Sequence, residues 1–136
     1  MDIHDAEHEE TAPQASHLVI SKLVCSLVGK TGIVHIVPGT VARRLYGKEE
    51  VSEQFRCNYG LNPEYQETIG RGELRVSGLG PDGEARIVEL PDHRFYLATL
   101  FLPQLSSAPD KPHPIILGYL QAAMAILPPG AEAPSY

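Results

Sequence analysis

An α/β or α+β unit is what this sequence predicts, and three observations predict it. Short runs of alternating or β-branched residues, such as Gly32–Val37, are interleaved with helix-like stretches that carry capping residues. The chain has 136 residues, of which 43% are hydrophobic and 21% charged, the balance of one ordinary globular domain with a core. No apolar run approaches the roughly 20 residues that span a bilayer.

Residues 1–17 read as a polar N-terminal arm, 18–127 as the domain, and 128–136 as a tail. Leu18–Val28 is largely apolar, and Gly32–Val37 is a strand candidate. Gly39–Leu45 reads as a short helix with Gly47 as its stop, because a helix end favours a residue free to adopt positive φ. Val51–Leu61 reads as one strand. Pro63–Ile69 is predicted as a helix because Asn62 is a good N-cap and Pro63 suits the first helical position. Leu74–Leu79 and Ala85–Leu90 are strands separated by the turn residues Pro81-Asp82-Gly83. Phe95–Phe101 is the most apolar strand candidate and is predicted to be central. Ile115–Leu127 is the best helix, opened by Pro114 and ended by Pro128-Pro129-Gly130.

Formal net charge is −6 and the largest basic cluster is Arg43-Arg44, which argues against a nucleic-acid partner. The acidic N-terminus lacks the basic start and apolar stretch of a signal peptide, so the expected location is cytoplasmic. The two cysteines, Cys25 and Cys57, make no disulfide framework and are expected to be buried free thiols.

Four segments in register carry a family resemblance. Leu45-Tyr46-Gly47 is followed by Val51-Ser52-Glu53-Gln54-Phe55-Arg56-Cys57-Asn58-Tyr59-Gly60-Leu61-Asn62-Pro63, similar to a Leu-Tyr-Gly and Val-x-Glu-Arg-His-Arg-His-Arg-Tyr-Glu-Val-Asn-Pro pattern. Val88-Glu89-Leu90-Pro91-Asp92-His93 is similar to Ile-Glu-Leu-Pro-x-His. Lys111-Pro112-His113-Pro114 through Gly118-Tyr119-Leu120-Gln121-Ala122-Ala123 is similar to an Arg-Pro-His-Pro…Gly-Phe-Val-x-Ala-Ala ending. They resemble the C-terminal half of the CTP synthase glutaminase domain, a class I glutamine amidotransferase, and the match as a whole spans about Asp2 to Ala123. A branch of small proteins related to the CTP synthase C-terminal region, some of them selenoproteins, is closer still. The resemblance implies a partial flavodoxin-like α/β fold, a sheet with flanking helices.

It also implies where chemistry belongs. The family's Phe-His-Pro-Glu-Phe supplies a proton-accepting His and an orienting Glu to a catalytic thiol, and here that stretch reads Phe101-Leu102-Pro103-Gln104-Leu105. Leu102 accepts no proton, and the neutral amide of Gln104 cannot stabilise an imidazolium as a carboxylate does. No Gly-x-Cys-x-Gly nucleophile elbow is present in this sequence, so the chain is expected to begin after it. Glu10 aligns with a glutamate that holds the substrate's amino group, and Asn58, followed by Tyr59, stands where the family has an arginine. Losing that fork of donors argues against glutamine binding.

Other motifs have plainer explanations. Val28-Gly29-Lys30-Thr31 imitates the end of a phosphate-binding loop but lacks its earlier glycine. His4-Asp5-Ala6-Glu7-His8 matches an inverted zincin pattern at a chain start, where fraying defeats a rigid metal site, so neither metal nor other cofactor is expected. His93 and His113 are expected to be structural, and Tyr46, Tyr59, Tyr65 and Tyr119 to be packing aromatics. The sequence therefore points to a degenerate glutaminase-like module of pyrimidine nucleotide metabolism that binds or assembles rather than catalyses. Two alternatives stay open: a glutamine amidotransferase half-domain completed by a separate cysteine-bearing segment, and a thiol redox protein using Cys57. A homo-oligomer, or a partner protein covering the missing half-domain, is expected on physical grounds, because removing strands from a wound sheet bares edges and apolar faces.

Overall fold

The computed structural model describes residues 3–125. The predicted end of the last helix beyond residue 125 and the predicted tail lie outside the described residues. Elements run β1 (Glu7–His8), β2 (Leu18–Lys22), β3 (Thr31–Ile36), α1 (Val41–Tyr46), β4 (Glu50–Gln54), β5 (Tyr59–Leu61), α2 (Pro63–Gly70), β6 (Arg75–Leu79), β7 (Ala85–Glu89), β8 (Leu97–Thr99), a 3₁₀ turn (Pro103–Ser106) and α3 (Pro114–Met124).

The local signals in the sequence act as anticipated. Asn62 caps α2 by accepting from the Glu64 N–H at 3.1 Å, which satisfies a backbone donor that the first helical turn leaves free. Gly47 ends α1 at φ 64° and returns its N–H to the Arg43 carbonyl. Thr40 caps the other end of α1, and the buried Glu89 adds a second cap from across the sheet, its two oxygens accepting from Val41 and Ala42 N–H at 3.0 and 3.1 Å. A carboxylate at a helix start also meets the positive end of the peptide dipoles.

The strands form two sheets. A five-stranded sheet has the order β4-β3-β6-β7-β8 and is antiparallel throughout, with Val34 opposite Val51 and Val88 opposite Ala98. It curls: Phe55, just past β4, bridges Phe101, just past β8, so the two edges meet. Val34, Ile36, Phe55, Ile87, Phe101 and Ile115 are buried inside that curl, with Ala42 of α1 beside them. The second sheet, β1-β2-β5, pairs β1 with β2 in parallel and β2 with β5 antiparallel.

Three expectations are corrected here. Val51–Leu61 is two strands in two sheets, because the chain leaves the curled sheet after Phe55 and joins β2 from Tyr59. Phe95–Phe101 is not central: only Leu97–Thr99 is strand, and it is the last in its sheet. Burial there is partial: Leu97 and Thr99 are half-buried, Ala98 is exposed, and Phe101 is the one fully buried residue of the segment. Part of the polar arm is also structured, since Glu7 N–H donates to the His17 carbonyl and Glu9 N–H to that of Ile20. Among the described residues, no helix is long and apolar enough to cross a membrane.

Candidate functional site

The closure between β4 and the end of β8 positions the residues that the sequence singled out. Leu102 N–H donates to the Gln54 carbonyl at 3.1 Å, and the Gln54 side-chain amide donates to the Leu105 carbonyl at 3.0 Å. These bonds hold Phe101–Leu105 along the edge of β4. Leu102 is half-buried there, and Gln104 is exposed on the 3₁₀ turn.

On the neighbouring segment, Cys57 is half-buried and its thiol donates to the Leu100 carbonyl at 3.1 Å. That bond requires the protonated sulfur, so the geometry engages the thiol as a packing group. Cys25 contradicts the expectation of a buried thiol: it is exposed on the loop after β2, where Leu23 and Leu27 N–H donate to the Asn58 and Cys57 carbonyls on either side of it. Asn58 is occupied by Ser26, whose hydroxyl donates to its Oδ1 at 2.6 Å.

Asn58 and Tyr59 are neighbours in sequence, and Glu10 is linked to Tyr59 only through His8. The Tyr59 ring lies 5.1 Å from the His8 ring, and Glu10 N–H donates to His8 Nδ1 at 3.1 Å. Glu10 itself is exposed, whereas its neighbour Glu9 bonds across to Lys22 N–H at 2.5 Å. His4 sits in a turn and His8 in β1, with Asp5 at φ 56° between them, so the zincin-like spacing is never presented on a helix. Val28–Thr31 is a turn running into β3.

Sequence reasoning missed the most ordered polar cluster. His113, 3% exposed, accepts from Ile115 N–H through Nδ1 at 3.2 Å and so caps α3. Because Nδ1 accepts, the ring proton of the neutral tautomer is assigned to Nε2, which donates to Glu53 Oε1 at 2.9 Å. The Tyr46 hydroxyl donates to the same oxygen at 2.6 Å. Burial, together with the Glu53 hydrogen bond and charge, pushes the Tyr46 phenol far above its ordinary value of 10.0. Among the described residues, Glu53 Oε2 is buried with no hydrogen-bond partner. Each member lies in a segment quoted above for the resemblance, but seven and 60 residues separate Tyr46 and His113 from Glu53, so no local pattern joins them. His113 is structural, as expected; Tyr46 is a hydrogen-bonding residue as well as a packing one. Tyr119, expected to pack, is 59% exposed although its ring meets Phe95 edge-on.

A cavity of about 960 Å³ is lined by Leu23, Val24, Leu27, Ile33, Phe55 and Leu61, together with the charged Lys22, Glu67, Asp82, Glu84 and Arg86.

No family model matches the chain. It is 36% identical over 132 residues to the CTP synthase of Nostoc punctiforme, an alignment covering 90% of this chain and 24% of that protein. The CTP synthase of Thermococcus gammatolerans is 45% identical over 92 residues, covering 66% of this chain and 17% of its own length. Among solved structures, the glutaminase domain of Trypanosoma brucei CTPS with bound acivicin superposes with a TM-score of 0.83 at 27% identity. That match takes in 89% of this chain and 51% of the solved one. The chain thus spans a quarter or less of the curated relatives just described, and about half of the solved domain.

Proposed function

Because the chain is a CTP synthase glutaminase-like domain, we propose that it acts as a catalytically silent binding or assembly module linked to pyrimidine nucleotide metabolism. Leu102 carries this reading. At the strand end where the resemblance calls for a proton acceptor, the side chain is alkyl and the backbone is tied to β4. Gln104, two residues on, offers a neutral amide where a carboxylate would orient and stabilise an imidazolium.

The groups with suitable chemistry nearby are already engaged. His113 uses one ring nitrogen on Ile115 and the other on Glu53, so neither nitrogen is free to take a proton from a nucleophile. The hydrogen bond from Ser26 to Asn58 and the loss of a guanidinium both weigh against a glutamine pocket. The cavity supports a binding role, since a cleft of that size with apolar walls and a few charged groups suits a ligand. The connection to pyrimidine metabolism rests on the relatives, which are CTP synthases.

Two measurements test this. Purified chain incubated with glutamine should release no ammonia, and release proportional to the chain's own concentration would overturn the silent reading. Sedimentation of the chain mixed with a CTP synthase should show a complex; separate migration over the accessible concentration range would remove the proposed assembly role.

A further inference from the structure

α3 carries no Asp, Glu, Lys or Arg from Pro114 to Ala125, although those residues make up 21% of the chain. Its inner stripe includes Ile115 and Gly118, both buried, with Gly118 set closely against Leu45 of α1. Its outer face is largely apolar as well: Leu117, Tyr119, Leu120 and Met124 are 39, 59, 47 and 59% exposed, with Gln121 the polar residue among them. Leu117, Leu120 and Met124 follow i, i+3, i+7 spacing, which aligns them in one seam along the helix.

We propose that this seam is a homodimer contact in which α3 packs on α3 of a second copy about a two-fold axis. Charge favours that occupant. With a formal net charge of −6, two copies repel over much of their surface, and an uncharged helix face lets them meet without opposing like charges or stripping water from an ion. A charged partner would gain no ionic complement from it. Geometry agrees: an 11-residue helix is about 16 Å long, and Leu120 lies near the middle of the seam, where a two-fold axis brings it against its own mate.

Area sets the strength. Four large side chains exposed to this extent present roughly 400 Å² per copy, about half of the ~800 Å² per partner of a standard stable interface. An interface of that size belongs with weak, reversible contacts. The dimer stands independently of the catalytic reading.

Sedimentation equilibrium of the full chain from about 10 μM to 1 mM should show the mass rising toward a dimer. Leu120→Glu, on the exposed face, should raise the dissociation constant at least tenfold with an unchanged circular dichroism spectrum. A photo-crosslinker replacing Tyr119 should give a dimer band whose linked peptide comes from α3. Monomer mass throughout, association indifferent to Leu120→Glu, or crosslinks only to residues 126–136 of the same chain would each overturn the proposal.

Discussion

Replacing Glu53 probes how much the Tyr46–Glu53–His113 cluster contributes to the fold. In Glu53→Leu, the His113 Nε2–H and the Tyr46 hydroxyl both lose the Glu53 oxygen and keep only each other, 3.4 Å apart. A buried donor left without a partner costs about 1–3 kcal/mol. His113, only 3% exposed, bears the upper part of that range. Tyr46 is half-buried and recovers some hydration, so its hydroxyl bears the lower part. With that remaining contact the expected loss is about 2–4 kcal/mol, a large share of the roughly 5–15 kcal/mol that holds a typical domain folded.

Glu53→Gln separates acceptor from charge. The amide oxygen still accepts from both donors, and the amide nitrogen replaces an orphaned acceptor with an orphaned donor, so the loss should be about 1–2 kcal/mol. Urea unfolding of the two variants gives both numbers. Adding Tyr46→Phe closes a double-mutant cycle: it should be costly beside Glu53 and nearly neutral beside Leu at that position, a coupling of about 1.5–3 kcal/mol. Glu53→Leu unfolding within 1 kcal/mol of the parent would refute the reasoning, because the cluster would then be geometry without energetic consequence.

Tyr46 also predicts an alkaline sensitivity. Its folded-state pKa lies above the ordinary 10.0, so above pH 10 the unfolded chain releases a proton that the folded chain retains, and stability falls as pH rises. The stability difference between the parent and Tyr46→Phe should shrink by up to about 1.4 kcal/mol per pH unit above pH 10; a constant difference from pH 9 to 11.5 would contradict this. At Gly118, an added Cβ would lie 2.5 Å from Leu45 Cδ2 and 3.2 Å from Phe95 Cε2. Gly118→Ala should be near neutral, since the tip of Leu45 can move and alanine regains about 1 kcal/mol of helix propensity. Gly118→Val should cost about 2–3 kcal/mol by overpacking and β-branching, and an unchanged urea midpoint would show that α1 and α3 are free to separate.

Short-range chemistry was legible in the sequence. Asn62 followed by Pro63 marks the start of α2, and Gly47 marks the end of α1, because a cap or stop is decided by a few neighbouring residues and their φ preferences. The resemblance was legible for the same kind of reason: the quoted segments are contiguous, so they could be set against a family pattern without any coordinates. Even the structural role of His113 followed from its place beside Pro114 at a helix start.

Pairing and burial were decided only by the tertiary structure. Nothing within Val51–Leu61 says that the chain changes sheets after Phe55; the break follows from Phe101 waiting across the curl, 46 residues later in sequence. The same closure makes Phe95–Phe101, a predicted central strand, the last in its sheet, with Phe101 buried where the edges meet. Cys25 is exposed because its loop is held on both sides by carbonyls from residues 57 and 58, a contact that apolar periodicity cannot anticipate. Glu53 looked like one polar residue among several until folding set Tyr46 and His113 against the same oxygen. Hydrogen-bond partners far apart in sequence are chosen by how the sheet closes, and that choice is a property of the assembled chain.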